Sequence, residues 1–241
     1  MKLLIIRHGD PNYAIDGLTE KGQREAALLA DRLCREEITA VYCSTMGRAK
    51  LTIQPTLDRL GITAEYGDWL REFSYVYADP PYEREGHLCW DQLPAYMSEH
   101  PTLYSPTAWR QHPVMQAAGA GEAYDAVCHA LDTVLEQHGY RRNGCHYDVL
   151  EESHKTLVFV CHYGVSGVLL SHLLNCSPYT VWQNMCTVPT AVSTFYTEER
   201  VQGIASLRCV GLGDVSHLYA GGEEPSFSAR FCECFSDKTR H

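Results

Sequence analysis

Apolar residues in this chain come in short blocks, and the polar stretches between them carry a helical period. Leu3–Ile6 is an unbroken aliphatic run, the pattern of a strand covered on both faces in a parallel sheet. After a polar loop, Thr19 is placed to cap a helix to about Glu37, with Ala26, Leu29, Ala30 and Leu33 on one face. A short strand at Ala40–Cys43 follows. Ser44 is then placed to cap a second helix striped by Ala49, Ile53, Leu57 and Leu60, which Pro55 is expected to kink or interrupt.

Residues 74–120 lose this rhythm. They hold Pro80, Pro81, Pro94, Pro101, Pro106 and Pro113, and many aromatic residues. A structureless loop of that length is out of keeping with a compact domain, so a small insertion of short helices over one sheet edge is expected. Its aromatic residues (Phe73, Tyr75, Tyr77, Tyr82, Trp90, Tyr96, Trp109) could stack on a substrate ring, but packing inside the insertion is the favoured reading.

Period returns with a helix near Glu122–His138, striped by Val127, Leu131, Val134 and Leu135. The segment "TLVFVCHYG" then repeats the opening: an apolar strand Leu157–Cys161, a histidine, and a glycine two residues later. A helix from about Val165 to Leu174, a short helix around Pro178 and Trp182, and strands at Thr190–Tyr196 and Gly203–Val210 complete the pattern. The tail after Gly221 reads as loosely held. Strands alternating with helices predict an α/β fold with a mainly parallel sheet, whose ligands bind beyond the carboxyl ends of the strands. His8 and His162 both stand at such ends.

Composition narrows the classes. The 241 residues fit one domain, 1–241, with the insertion at about 74–120 as a cap, and 45% hydrophobic with 21% charged residues is an ordinary globular mixture. A formal charge of −10 opposes nucleic-acid binding and makes any local gathering of arginines more informative. No stretch approaches the ~20 apolar residues that span a bilayer, and the N-terminal apolar run is too short for an export signal. The eleven cysteines form no regular framework and read as reduced thiols, so a cytoplasmic location is expected. No C-x-x-C pair stands at zinc-like spacing, and neither a metal nor another cofactor is expected. The sequence is silent on oligomeric state.

At strand ends or helix starts lie Arg7, His8, Gly9, Arg48 and His162. Two guanidinium forks suit phosphate oxygens, and a neutral imidazole among them is a good nucleophile toward phosphorus. Gly9 would let the backbone turn sharply beside the bound group. Taken singly, each residue has an ordinary structural explanation; their order and matched contexts are what carry weight.

The segments "RHGDPNY", "LTEKGQREA", "CSTMGRAKLT" and "FVCHYGVSGVLLSHLL" together resemble the histidine phosphatase superfamily, in its phosphoglycerate mutase-like branch. The likeness spans most of 2–72 and 120–217 and implies a three-layer α/β/α fold. It implies His8 as the nucleophile that becomes phosphohistidine, and Arg7, Arg48 and His162 as holders of the phosphoryl oxygens. Glu72, in "WLREF", resembles the proton donor to the leaving oxygen; Glu122 and Glu152 are the other acids near motif positions. The chain departs from the pattern after "RHG": Asp10 and Pro11 replace the usual residues, and Asn12, a candidate phosphate ligand, stands closer to His8 than the family asparagine. Tyr163 is a bulky residue that either lines the pocket or packs beneath it, packing being favoured. "GEAY" at Gly121–Tyr124 reads as the structural start of a helix, and His217 lies near the sheet end without evident catalytic use.

Three activities fit these residues. A phosphatase acting on a small phosphoester is favoured. A mutase would need basic residues in the cap, where Arg84 and Arg110 stand isolated, and a phospho-ligand binding module would be expected to have lost part of the constellation.

Overall fold

The computed structural model describes residues 1–77, 87–228, 230–237 and 239. The opening aliphatic run forms strand β1 (Lys2–Arg7), buried at every position after Lys2. Short strands β2 (Pro11–Asn12) and β3 (Gly17–Leu18) form a ribbon before helix α1 (Glu20–Leu33). Strand β4 (Ile38–Ser44), helix α2 (Gly47–Leu60) and strand β5 (Glu65–Gly67) follow. Next come the two-stranded ribbon of β6 (Val76–Tyr77) and β7 (His87–Leu88), short helices α3 (Pro94–Glu99) and α4 (Pro113–Ala117), and the long α5 (Ala120–Gln137). Strands β8 (Tyr140–Asn143), β9 (His146–Val149) and β10 (Thr156–Cys161) lead to α6 (Tyr163–Leu174) and α7 (Pro178–Asn184). A long hairpin, β11 (Val192–Val201) and β12 (Ile204–Asp214), and helix α8 (Ser216–Ala220) end the regular structure.

One eight-stranded sheet orders these as β5-β4-β10-β1-β11-β12-β9-β8. The run β5-β4-β10-β1 is parallel, and the remaining flank is antiparallel. Alternation along β1 sends Leu4 and Ile6 into a core shared with α1 and α2, while Leu3 and Ile5 enter the core built on α5, α6 and α7. Three layers result, because a central strand must bury both its faces. Each fully buried leucine or isoleucine stabilises the fold by about 1.5–3 kcal/mol, so the two cores hold the strand ends firmly.

Several local features differ from the sequence reading. Helix α1 stops at Leu33, four residues short of expectation, and α6 starts at Tyr163, on the heels of the histidine. Pro55 sits inside α2 without interrupting it. Ser44 does not cap α2: the cap position is Met46, and the Ser44 hydroxyl accepts from Met46 N–H at 3.2 Å while serving the site described below. The β8–β9 hairpin and the short β5 are additions to the expected sheet.

Between Leu70 and α5 the described residues form the β6–β7 ribbon, two 3-10 turns at Pro101–Tyr104 and Ala108–Gln111, and helices α3 and α4. Pro94, Pro101 and Pro113 each open one of these, at the position where a missing N–H costs nothing. Phe73, Tyr77, Leu103 and Trp109 are buried against the α5–α7 core, whereas Tyr75 is exposed. Pro80, Pro81, Tyr82 and Arg84 lie outside the described residues.

The tail is better anchored than its sequence suggests. Glu223 pairs with Lys21 at 3.1 Å and Arg24 at 2.7 Å, and Ser226 N–H donates to the buried Glu25 at 3.3 Å. Glu25 also accepts from Asp10 N–H at 2.8 Å, and Asp10 in turn accepts from the hydroxyls of Thr19 and Ser226. Burial pushes the Glu25 carboxyl up to about 7.

Candidate active site

Strands β1 and β10 end side by side, with Arg7 opposite Cys161, so the residues that follow emerge together at the carboxyl edge of the parallel half. The two imidazoles His8 and His162 lie 5.0 Å apart, centroid to centroid, and both are almost wholly buried. His8 Nδ1 is 2.7 Å from Gly9 O. A carbonyl can only accept, so Nδ1 carries the proton and Nε2 keeps its lone pair for attack. Burial, then the charges of Arg7 and Arg48, depress His8 to about 3, so the ring is neutral at any ordinary pH.

His162 is held differently. Its Nε2 lies 2.7 Å from Ser44 Oγ, and its Nδ1 is buried with no partner among the described residues. Ser44 Oγ already accepts from Met46 N–H, and no other acceptor meets its hydroxyl. The hydroxyl therefore donates to Nε2, which puts the ring proton on Nδ1 and makes that N–H a free donor. Burial and the nearby His8, Arg48 and Arg7 push His162 far down, so it too is neutral.

The two arginines are both buried and held by unlike partners. Arg7 Nη1 donates to Thr187 O at 2.8 Å and Ser228 O at 3.3 Å, its guanidinium lies 5.5 Å from the Tyr163 ring, and its Nε has no partner among the described residues. Arg48 Nη1 is paired with Asp16 Oδ1 at 2.6 Å, and Asp16 Oδ2 accepts from Gly47 N–H at 2.7 Å. Although burial opposes it, these contacts hold Asp16 below the usual carboxylate range. Arg48 Nε is likewise buried without a partner among the described residues. Two unfilled guanidinium N–H groups and one unfilled imidazole N–H thus belong to the residues gathered at one strand edge, a donor set suited to an oxyanion.

Gly9 does not adopt the left-handed backbone expected of a sharp turn. Its hydrogen side chain matters for room: a Cβ there would lie 3.0 Å from Gly22 O, and one on Gly22 would lie 2.3 Å from Asp10 O. Loop and helix α1 touch through bare backbone. Gly9 N–H also donates to Thr52 Oγ1 at 2.8 Å, which fixes the loop to α2. On the other side Thr190, at φ +56, donates its N–H to Arg7 O (3.1 Å) and His8 O (3.2 Å).

Glu72 reaches the start of α6, where its Oε1 accepts from Gly164 N–H at 2.8 Å and Val165 N–H at 3.3 Å, and from Phe73 N–H at 2.9 Å. Burial raises the Glu72 carboxyl against the pull of these N–H groups and of Arg7. Its Oε2 receives none of the three bonds. Glu122 and Glu152 are exposed, whereas Glu72 is held at the N-terminus of α6, two residues past His162, and feels the charge of Arg7. Asn12 is engaged locally: its Oδ1 accepts from Ala14 N–H at 3.2 Å and caps a 3-10 turn. Tyr163 packs beneath Arg7, with its hydroxyl donating to Trp182 O at 2.6 Å.

Sequence reasoning overlooked Ser44 as a partner of His162, Asp16 as a partner of Arg48, and the carbonyls of Thr187 and Ser228. Only Ser44 had a local signal, an oxygen at the end of a buried strand, and it was read as a cap.

A neutral imidazole pair, two buried arginines and a carboxyl at the start of α6 form a set of groups suited to an oxyanion. The sequence model of the histidine phosphatase superfamily (branch 1) matches residues 3–209, and the chain belongs to that superfamily of phosphoric monoester hydrolases. A probable phosphatase of Schizosaccharomyces pombe is 26% identical over 231 residues, 90% of this chain and 95% of that protein. Among solved structures, a mutant phosphoserine phosphatase of Entamoeba histolytica in complex with phosphoserine superposes with a TM-score of 0.59 at 16% identity, over 90% of this chain and 98% of that one. A mycobacterial glucosyl-3-phosphoglycerate phosphatase superposes with a TM-score of 0.59 at 14% identity, over 89% and 99% of the two chains. No helix of the described residues is long and apolar enough to cross a membrane.

Proposed function

We propose that the chain hydrolyses a small phosphomonoester through a phosphohistidine on His8. The observation that carries this is the Nδ1–Gly9 O bond, which leaves a bare, neutral Nε2 beside two buried arginines. Arg7, Arg48 and the Nδ1–H of His162 take the phosphoryl oxygens, whose charge grows in the transition state. Nε2 attacks phosphorus while the bond to the leaving oxygen breaks, and the protonated Glu72 gives its proton to that oxygen. The carboxylate left behind takes a proton from water, which attacks the phosphohistidine, releases inorganic phosphate and restores Nε2. The phosphatase names of its relatives support hydrolysis over transfer within one substrate.

The test is turnover of a phosphoester panel that includes 3-phosphoglycerate and phosphoserine, with product identification and a His8→Ala control. Release of inorganic phosphate, lost in the variant, and an acid-labile, alkali-stable phosphoenzyme are expected. Interconversion of phosphoglycerate isomers without phosphate release would overturn hydrolysis in favour of a mutase.

A further inference from the structure

Away from the histidine pair, a cavity of about 300 Å³ opens between α1 and α8, lined by Leu28, Asp31, Arg32, Arg35, His217 and Ala220 among others. That is space for roughly ten waters, or a three- to four-carbon acid. Its acidic groups are already engaged. Asp31 pairs with Arg59, and the neighbouring Asp214 accepts from Ser216 and pairs with Arg32 at 2.6 Å. Arg35 is exposed on this rim and makes no ion pair among the described residues.

His217 forms the inner wall and is only 7% exposed. Thr190 Oγ1 gives its hydrogen to Pro189 O at 2.8 Å, so at 3.2 Å it accepts from His217 Nε2–H. The proton is thereby fixed on Nε2, and Nδ1 is a buried lone pair with no donor among the described residues. A histidine with an unmet acceptor and an unpaired guanidinium line the same cavity, a pairing suited to a ligand with both an anionic group and a hydroxyl. Leu28 and Ala220 suit a short apolar body. The same Thr190 that accepts from His217 holds the carbonyls of Arg7 and His8 through its N–H, in a left-handed conformation unusual for a β-branched residue.

We infer that the α1–α8 cavity is a second ligand site, for a small hydroxyl-bearing oxyanion held by Arg35 and His217, and that its occupancy is felt at the His8 loop through Thr190. Hydrogen phosphate and 2-hydroxycarboxylates both have this chemistry. Binding is independent of the proposed hydrolysis; only the kinetic consequence rests on it.

The experiment follows the imidazole resonances of His217 by NMR during titration with glycolate, with inorganic phosphate, and with acetate as the hydroxyl-free control. A saturable His217 response to glycolate, phosphate or both is expected, with acetate at least about tenfold weaker; the responding probe identifies the kind of oxyanion. Arg35→Ala, a surface change, should weaken binding at least about tenfold and leave turnover without ligand unchanged. No saturable response up to about 20 mM, a response confined to His8 and His162, equal binding of acetate, or binding that survives Arg35→Ala would each overturn the site. Saturating the site with the binding probe should change kcat/KM for a phosphoester at least about twofold in the parent, and not in Arg35→Ala. Binding without that change would overturn the link through Thr190, while loss of turnover in every sample would count against the hydrolysis reading and leave the NMR result standing.

Discussion

His8 and His162 occupy matching places at the ends of adjacent parallel strands, yet they are wired in opposite senses. The ring of His8 is fixed by the backbone carbonyl next to it, Gly9 O, which no side-chain substitution can remove. The ring of His162 is fixed by a side chain 118 residues earlier, the Ser44 hydroxyl. One arrangement presents a bare nitrogen and the other an N–H. In the proposed mechanism, two chemically identical residues thus receive different tasks, nucleophile and oxyanion donor, from the one atom each leans on.

The largest effect should come from His8→Ala, which removes the attacking atom: turnover is expected to fall at least about 10⁴-fold, with no phosphoenzyme trapped. His162→Ala should lower kcat by about 10²–10³-fold, the usual cost of one transition-state donor, while a phosphoenzyme on His8 still forms. If that variant loses the phosphoenzyme and His8→Ala keeps it, the two assignments are exchanged. Ser44→Ala tests the wiring itself. It should reduce kcat about tenfold and release the His162 tautomer, read as a change in its imidazole ¹⁵N shifts, whereas Ser44→Thr should restore both. Normal tautomer and kcat in Ser44→Ala would remove the asymmetry.

The smallest effect is an absence. Since the folded pKa of His8 is about 3 and that of His162 is also strongly lowered, neither takes a proton near the ordinary value of about 6.5. Corrected for substrate ionisation, kcat/KM should therefore change less than about threefold between pH 6.5 and 5, and should fall at higher pH as Glu72 loses its proton. Stability behaves otherwise. Below about pH 6.5 the unfolded chain binds protons that the folded histidines refuse, so urea midpoints should drop as pH falls from there toward 3. Part of that slope should vanish in His8→Ala.

Much of this was readable in the residues. The aliphatic runs of β1 and β10 needed both faces covered, so a mainly parallel sheet with a histidine at the end of each run could be inferred without coordinates, though not the order of the strands. Arg48 was legible as an arginine at the start of the helix expected to follow Ser44. Other features were hidden by the rules used to find them. Ser44 looks like a helix cap because serine before an apolar stripe commonly is one, but its hydroxyl faces His162. Asp16 pairs with a residue 32 positions away, and no local period marks such a contact. The β8–β9 hairpin had a signal that went unused: Gly144, at φ +60, opens the two-residue turn Gly144-Cys145 between the paired Asn143 and His146. The tail was judged by its polar composition, although Glu223 and Ser226 tie it to α1 and the Asp10 loop.

Charge balance around the arginines bears on how the proposed cycle ends. Arg7 is held by carbonyl oxygens, which carry no net charge, and makes no ion pair among the described residues, though it feels Glu72. Arg48 arrives already matched to Asp16. In that cycle a phosphate group meets one cation without an ion pair and one that it must share with a resident carboxylate. As inorganic phosphate forms, Asp16 is on hand to reclaim Arg48, and the departing ion is let go by exchange rather than by bare dissociation. The carboxylate that weakens capture is then also the device that clears the site for the next substrate.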